Sequence, residues 1–181
     1  MNDIVLIAMA EEAPALVGVG NVFFTGIGKV NGAIAASRLI ERHSPKRIWN
    51  FGTAGGITVG GGIHRCSRFL QRDMQVGALG FAPGQTPFED SVILDLGGSG
   101  LLCSSGDSFV TNPALDLPAD LVDMEAYAIA KACLAAGVEF VCNKFISDRA
   151  DGDSSGDWRA NISAGQEHYL RILTENAVLR I

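Results

Sequence analysis

The sequence is poor in charge, and its charged residues do not gather into runs. Only 19% of the residues are charged and the formal net charge is −6, without any long stretch of lysine or arginine. Because nucleic-acid binding needs a dense positive surface, this composition argues against nucleic acid as the main partner. Hydrophobic residues make up 48% of the chain, which favours a folded core over disorder.

Long apolar stretches and paired cysteine motifs are missing as well. No hydrophobic run reaches the length of a membrane-spanning helix, and the chain enters a strand-like run (IVLIAMA) without the pattern of a signal peptide. We therefore expect no membrane partner. Cysteines stand in apolar surroundings without CxxC spacing, at Cys66, Cys103, Cys133 and Cys142. They are expected to be reduced core residues of a cytoplasmic protein.

The sequence offers no complete metal or cofactor motif. His43, His64 and His168 are scattered and are not spaced with the cysteines, so we expect no metal site. The segment GIGKVNG (26–32) suggests a phosphate loop, but it fits neither the dinucleotide fingerprint nor the Walker pattern in full. A tight strand-to-helix turn explains its glycines just as well, so no cofactor is expected.

Short apolar runs alternate with segments of helical spacing along the chain. Strands are predicted at 3–9, 21–26, 46–52, 64–72, 74–81, 101–104 and 138–147, and helices at 29–44, at 121–137 and from 157 to the C-terminus. Strands alternating with helices indicate an α/β sandwich with a mixed, mainly parallel sheet. Because no repeat or linker divides it, 1–181 is expected to form a single domain.

Polar residues occur where the predicted strands end, which is where open α/β sheets bind ligands. Glu12 follows the first strand, Thr53 lies in the GTAGG segment, and Ser147 and Asp148 follow the long strand before them. Each has an ordinary alternative: a solvated helix start for Glu12, and turn chemistry for the other three.

Two further segments place unusual residues beside apolar ones. Phe109, in SSGDSF, is either one wall for a planar ligand or a core aromatic. In LVDMEAYAIAKAC (121–133), Asp123 and Glu125 flank Met124 where an apolar helix begins, so either they cap the helix or one holds a ligand. Several carboxyl groups without a metal cluster suggest acid–base chemistry on a glycosidic bond.

The motifs AMAEE, GIGKVN, NFGTAGG, SSGDSF, VDMEAYAIA and FISDRAD, in this order, resemble those of the nucleoside phosphorylase superfamily. The resemblance is to its 5′-methylthioadenosine/S-adenosylhomocysteine nucleosidase branch in particular, and implies a shortened three-layer sandwich. It implies an enzyme that hydrolyses the N-glycosidic bond of a purine nucleoside and releases adenine. A nucleosidase or phosphorylase for another purine nucleoside (futalosine-type or deoxynucleoside) and a non-catalytic nucleoside-binding protein stay open.

The resemblance also implies which residues carry the chemistry. Glu12 is expected to position and activate the attacking water, with Thr53, where the family usually has serine, near the water and the ribose. Asp148 is expected to act as the acid at N7 of the purine, held by Ser147. Arginines that bind phosphate in the phosphorylases have no counterpart in GIGKVN or GTAGG, so water is the expected nucleophile.

The remaining implied contacts concern the ribose and the base. Glu125 is expected to bind the ribose hydroxyls, with Met124 packed against the sugar. Phe109 is expected to pack on the base, and the backbone near Val110 to read its edge. Asp123 stands where the family usually has glutamate, and is expected to be a structural residue that caps the helix.

The resemblance implies an assembly as well as a site. Members of the family usually form homodimers or larger homo-oligomers, in which a neighbour completes the pocket. The segment PGQTPF (83–88) resembles the part that is lent to the partner. Lys144 stands where arginine is common, and the family's β-hairpin after Glu12 is missing, which alters the rim of the pocket.

Overall fold

The computed structural model describes residues 3–112, 114–115 and 118–179, and in that part of the chain eight strands and four α-helices surround two hydrophobic cores. The strands are β1 (Asp3–Ile7), β2 (Val22–Phe24), β3 (Arg47–Gly56), β4 (Gly62–Gln71), β5 (Leu94–Asp95), β6 (Leu101–Ser105), β7 (Leu121–Asp123) and β8 (Glu139–Asp148). The helices are α1 (Lys29–His43), α2 (Ala126–Ala135), α3 (Ser154–Asn161) and α4 (Gln166–Glu175).

Alternate side chains of β1 enter the two cores, because successive residues of a strand point to opposite faces of the sheet. Ile4 and Leu6 join the core that includes α1 and α2, whereas Val5 and Ile7 join the core that includes α4. Helices therefore cover both faces of the sheet. This confirms the predicted three-layer α/β arrangement and explains why the strand is buried throughout.

Parallel pairings outnumber antiparallel ones in the sheet, as predicted. β1 pairs in parallel with β2 and β3, β3 with β8, and β6 with both β4 and β7. Antiparallel pairings join β4 to β5, β4 to β8, and β3 to β7. Because β8 pairs with both β3 and β4, the pairings β3, β8, β4, β6 and β7 return to β3 and close a ring. The sequence does not predict this closure.

Strand β3 continues through the glycine-rich segment that the sequence assigns to a loop. Its last residues pair with β8 on one side and with β7 on the other. A Cβ atom at Gly55 would lie 2.9 Å from Asp148 Oδ1, and one at Gly56 would lie 2.3 Å from the carbonyl oxygen of Val59. These glycines therefore permit close packing within the sheet, and the prediction that the strand stops before them is wrong.

The prediction of a strand at 74–81 is also wrong. This segment contains the 3-10 turn Gly77–Leu79 and reaches Gly80 with a φ of +84°. Apolar residues form a strand only when partner backbone is available, and the hydrogen-bonding edges of β4 are taken by β5, β6 and β8.

Two predicted helices have different bounds in the structure. Leu121–Asp123 forms β7 between β3 and β6, so α2 begins only at Ala126, although it ends before Gly137 as predicted. The predicted C-terminal helix is two helices, α3 and α4, and its last residues, 180–181, lie outside the described part of the chain. The division allows α4 to pack on the sheet, where Tyr169 contacts Phe51 with ring centroids 5.2 Å apart.

Candidate functional site

A cavity of about 310 Å³ lies where β1, β3, β6, β7 and β8 end. It is lined by all eight residues that the sequence singles out: Glu12, Thr53, Phe109, Val110, Met124, Glu125, Ser147 and Asp148. The rest of its wall comes from Ala8, Met9, Ile27, Ala54, Gly55, Arg72, Ser108, Val122, Asp123, Ser155, Trp158 and Arg159. Residues far apart in sequence meet here because the carboxyl ends of neighbouring parallel strands lie at one edge of the sheet.

The Glu12 carboxylate is fixed by hydrogen bonds on both of its oxygens. It follows β1 at the end of the 3-10 turn Ala10–Glu12. Its Oε1 accepts from the backbone N–H of Thr53 at 2.7 Å and from the Thr53 hydroxyl at 2.8 Å, and its Oε2 accepts from the N–H of Met9 at 3.1 Å. A buried carboxylate held in this way keeps one free lone pair in a defined direction, on Oε2, as a general base requires.

The Glu125 carboxyl group is held by a single described hydrogen bond. Its Oε1 accepts from the N–H of Gly28 at 2.7 Å, just before α1. Burial, and then the nearby charge of Asp123, raise the pKa of Glu125 to about 7. Gly28 has a φ of +97°, so the GIGKVNG glycine serves a tight turn that binds a carboxylate of this protein.

Asp148 is held at the end of β8 by its own neighbours. Its Oδ2 accepts a hydrogen bond from the Ser147 hydroxyl and its Oδ1 accepts one from the N–H of Ala150, both at 2.9 Å. Asn161 of α3 donates to the carbonyl oxygen of Ser147 at 3.0 Å. The aspartate is therefore buried and oriented, and it lines the cavity.

Asp123 lines the cavity and belongs to a buried ion pair. Lys144 Nζ lies 2.8 Å from its Oδ2, the Ser105 hydroxyl donates to its Oδ1 at 2.5 Å, and the N–H of Ala126 donates to its Oδ2 at 2.9 Å. Burial alone would raise the pKa of Asp123, but the charge and the hydrogen bonds of these neighbours, Lys144 first, hold it below its usual value. Asp123 thus binds the first N–H of α2, although the N-cap position itself is occupied by Glu125.

Two aromatic side chains of the cavity wall pack against each other. Phe109 is 44% exposed and packs edge-on against Trp158, with ring centroids 6.3 Å apart, so it is a wall residue and not a core aromatic. Trp158 Nε1 donates to the Thr53 hydroxyl at 3.1 Å, which ties α3 to the Glu12 network. Sequence reasoning missed Trp158, although Ser155, Trp158 and Arg159 share the helical spacing of one face.

Sequence reasoning also missed Arg72, which clamps the loop after β6. Its Nη1 donates to the carbonyl oxygens of Ser104 and Asp123 at 2.6 and 2.9 Å, and its Nη2 to those of Gly106 and Ser108 at 3.1 and 2.5 Å. Burial lowers the pKa of Arg72 although nearby acids oppose the shift. The guanidinium thereby fixes the loop that carries the aromatic wall of the cavity.

Neither a metal site nor a membrane span is found in the described part of the chain. No group of three or more histidine, cysteine, aspartate or glutamate side chains there could hold a metal ion. None of the helices there is long and apolar enough to cross a membrane.

Comparisons with known proteins identify the family. The phosphorylase superfamily model matches residues 7–91 and 111–175. The chain belongs to the phosphorylase superfamily. A 5′-methylthioadenosine/S-adenosylhomocysteine nucleosidase of Haemophilus influenzae (strain PittEE) is 35% identical over 158 residues, which cover 72% of this chain and 69% of the relative.

Solved structures share the fold of this superfamily member at lower identity. An S-adenosylhomocysteine nucleosidase of Streptococcus pyogenes, in complex with 5-methylthiotubericidin, has a TM-score of 0.82 at 23% identity and covers 96% of this chain and 94% of its own. The futalosine hydrolase of Helicobacter pylori strain 26695 has a TM-score of 0.85 at 19% identity and covers 96% of this chain and 97% of its own. The resemblance that the motifs indicate is confirmed, and the phosphorylase superfamily provides the observed mixed α/β fold.

Proposed function

We propose that the protein is a purine nucleosidase that hydrolyses the N-glycosidic bond of 5′-methylthioadenosine or S-adenosylhomocysteine and releases adenine. The observation that carries this proposal is that three carboxyl groups in different environments, those of Glu12, Glu125 and Asp148, meet in one cavity. Relatives named for this activity cover most of the chain. Acid and base groups placed on opposite sides of one bond are what glycosidic hydrolysis requires.

In the proposed reaction, Asp148 donates a proton to N7 of the purine while the C1′–N9 bond breaks. The bonding electron pair leaves with the base, and positive charge develops on the ribose. Glu12 takes a proton from a water molecule, whose oxygen forms the new bond to C1′. The proton lost by water and the proton gained by the purine balance. General acid–base assistance of this kind accelerates a reaction by about 10²–10⁴-fold.

Glu125 is proposed to hold the ribose, and Met124 to pack against the sugar. Both line the cavity next to Glu12. Ribose hydroxyls donate hydrogen bonds that favour the ionised form of Glu125, so substrate binding is expected to lower its pKa from about 7. A carboxylate–hydroxyl bond of this kind contributes roughly 1.5–3 kcal/mol.

The base is proposed to lie against Phe109, next to the backbone of Val110. The edge-on pair of Phe109 and Trp158 leaves an apolar surface on which a planar ring can pack. This orientation puts N7 of the purine towards Asp148, which Ser147 holds in place. Thr53 keeps Glu12 aimed at the opposite side of the sugar.

Water is the proposed nucleophile, because the surroundings of Glu12 do not suit phosphate. A phosphate ion placed beside the Glu12 carboxylate would meet like charge. Arg72, which lines the cavity, donates its Nη hydrogen bonds to backbone carbonyl oxygens and so does not offer them to a phosphate ion. A phosphorylase is therefore the weaker alternative. A futalosine-type nucleoside is the second candidate substrate, which the fold shared with futalosine hydrolase favours.

We further propose that residues 1–181 act as one domain of a cytoplasmic homo-oligomer. Ile27, Val30 and Ile34 expose apolar side chains near the start of α1, and Phe88, in the PGQTPF segment, is 93% exposed. Exposed apolar side chains in such number are typical of a subunit interface. All four cysteines are free and buried, which suits a reducing compartment.

The test of the proposed function is release of adenine from 5′-methylthioadenosine by the pure protein, with and without added phosphate. We expect equal rates in both buffers and free 5-methylthioribose as the sugar product. Formation of a sugar 1-phosphate would identify a phosphorylase instead. A panel that adds inosine, 2′-deoxyadenosine and futalosine separates the candidate substrates, and binding of methylthioadenosine without turnover would identify a non-catalytic nucleoside-binding protein.

A further inference from the structure

We propose that Arg159 selects purine nucleosides whose 5′-substituent ends in a carboxylate, an inference that rests on the nucleosidase function proposed above. Arg159 takes no part in breaking the bond. It is a specificity-determining residue at the mouth of the cavity, and it separates substrates that share the same base and ribose.

One face of α3 forms part of the cavity wall. Ser155, Trp158 and Arg159 all line the cavity, and their spacing places them on one side of the helix. Trp158 is half-buried and reaches Thr53 inside the site, whereas Arg159 is exposed. Arg159 therefore lies at the rim, directly after the residue that closes the cavity.

Arg159 is the cavity cation that remains available to a ligand. Among the described residues that line the cavity, the other cation is Arg72, whose four Nη hydrogen bonds go to backbone carbonyl oxygens. Arg159 forms no ion pair with any described residue. A guanidinium free in this way can form two parallel N–H···O bonds to a carboxylate.

The charges of the cavity make such a cation necessary for an anionic ligand. Besides Asp123, which is paired with Lys144, three carboxyl groups line the same space: Glu12, Glu125 and Asp148. A negatively charged substituent that enters this space meets like charge unless a cation compensates for it. Arg159 lies where compensation is possible without disturbing the acid and base groups inside.

The 5′-substituent is the part of the substrate that reaches Arg159. In the proposed orientation the base lies between Phe109 and Asp148, and the hydroxyls on C2′ and C3′ lie at Glu125. Both ends of the nucleoside ring system are then enclosed, so the chain on C5′ leads to the opening. The amino-acid tail of S-adenosylhomocysteine carries the required carboxylate, whereas the methylthio group of methylthioadenosine does not.

The experiment compares two substrates that differ in one group. They are 5′-butylthio-5′-deoxyadenosine and 5′-(3-carboxypropylthio)-5′-deoxyadenosine, in which a carboxylate replaces the terminal methyl group. We expect Arg159→Gln to lower kcat/KM for the carboxylate substrate by about fivefold, mainly through KM, as befits a solvent-exposed ion pair. For the butylthio substrate, kcat/KM should stay within about twofold of the wild-type value. Arg159→Lys should keep only part of the preference for the carboxylate, because lysine retains the charge but cannot form the two parallel bonds.

Controls separate this role from a general loss of charge or fold. Arg171→Gln, on the exposed side of α4, removes the same charge away from the cavity and should leave kcat/KM unchanged for both substrates. About 0.5 M salt should remove most of the wild-type preference for the carboxylate substrate, because an exposed pair is screened. An equal fall for both substrates in Arg159→Gln, or no fall for the carboxylate substrate, overturns the inference. If the wild-type protein releases adenine from neither substrate, the proposed function fails first and the inference falls with it.

Discussion

Asp123 and Glu125 are two residues apart in sequence, yet the structure places their carboxyl groups in opposite electrostatic situations. Asp123 has a lysine partner and hydrogen bonds from Ser105 and Ala126, and its pKa lies below the usual value. Glu125 has one described hydrogen bond, from Gly28, and a pKa raised to about 7. The first acid is satisfied by the protein itself, whereas the second is left to be satisfied by a ligand.

The difference shows how one short segment serves both folding and chemistry. Asp123 ends β7 and Glu125 immediately precedes α2, and both line the cavity. Asp123 is paired with Lys144, whereas Glu125 has no cationic partner among the described residues. A buried acid without full pairing costs stability. Glu125 is such an acid, and it lies at the proposed ligand site, where ribose hydroxyls can donate the missing hydrogen bonds.

The largest expected effect concerns the acids that are proposed to serve the ligand, and it is expected at Asp148. Asp148→Asn should lower kcat for adenine release by about 10²–10⁴-fold, because the amide cannot supply the acid proton. The fold should survive, since an asparagine oxygen can still accept from the N–H of Ala150. Asp153→Asn is the matched control: Asp153 is exposed and should be replaceable with less than about a twofold change. Equal effects of the two substitutions on kcat would show that Asp148 is not the acid of the reaction.

The structural role of Asp123 is tested by Lys144→Met, which leaves Asp123 buried without its cation. We expect the free energy of unfolding to fall by about 3–5 kcal/mol, measured by urea denaturation. The double variant Asp123→Asn/Lys144→Met should regain part of this loss, because no unpaired charge then remains buried. If the double variant is as unstable as the sum of the single variants, the ion pair is not the reason for the loss.

A pH series sharpens the comparison, because the two acids should act in opposite directions. The raised pKa of Glu125 means that its contribution to stability is full below its usual value of 4.5 and is lost as pH rises through about 7. Asp123, whose pKa is lowered from 3.8, contributes stability above that value and loses it as pH falls. Urea denaturation between about pH 5 and pH 8 should therefore show wild-type protein losing up to about 3 kcal/mol relative to Glu125→Gln. A constant difference across this range would contradict the raised pKa.

The smallest expected effect comes from Arg72→Lys, which keeps the charge but removes the planar fork. A lysine cannot replace the four hydrogen bonds, two to strands β6 and β7 and two to the loop after β6, so the aromatic wall should loosen. We expect KM to rise by roughly threefold with a smaller change in kcat, measured by adenine release. A fall in kcat alone would place Arg72 in the reaction instead of in the support of the wall.

The sequence predicts the site better than it predicts the sheet. Glu12, Thr53 and Asp148 could be named because they follow apolar runs, and strand ends of α/β sheets meet at one edge. Val110 was named only through the family resemblance. β7 was missed because three residues are too short for a pattern, and 74–81 was misassigned because apolar character alone does not provide a partner strand.

The missed site residues share a physical cause. Trp158 lies on a separate helix, so its position over the cavity depends on its contacts with Thr53 and Phe109, which are distant in sequence. Arg72 reaches the site only through carbonyl oxygens that β6 and β7 bring together. Local spacing carries no information on either arrangement.

The central claim is that Glu125 serves the ligand and Asp123 serves the fold, and one paired measurement tests it directly. For Glu125→Gln and Asp123→Asn, kcat/KM for 5′-methylthioadenosine and the free energy of unfolding are measured on the same samples near pH 7. We expect Glu125→Gln to lose about 10–100-fold in kcat/KM with no loss of stability. Asp123→Asn should lose about 3 kcal/mol of stability, while its folded fraction keeps activity within roughly threefold. If both variants lose stability and neither loses activity, Glu125 is a second structural acid and the proposed site is wrong.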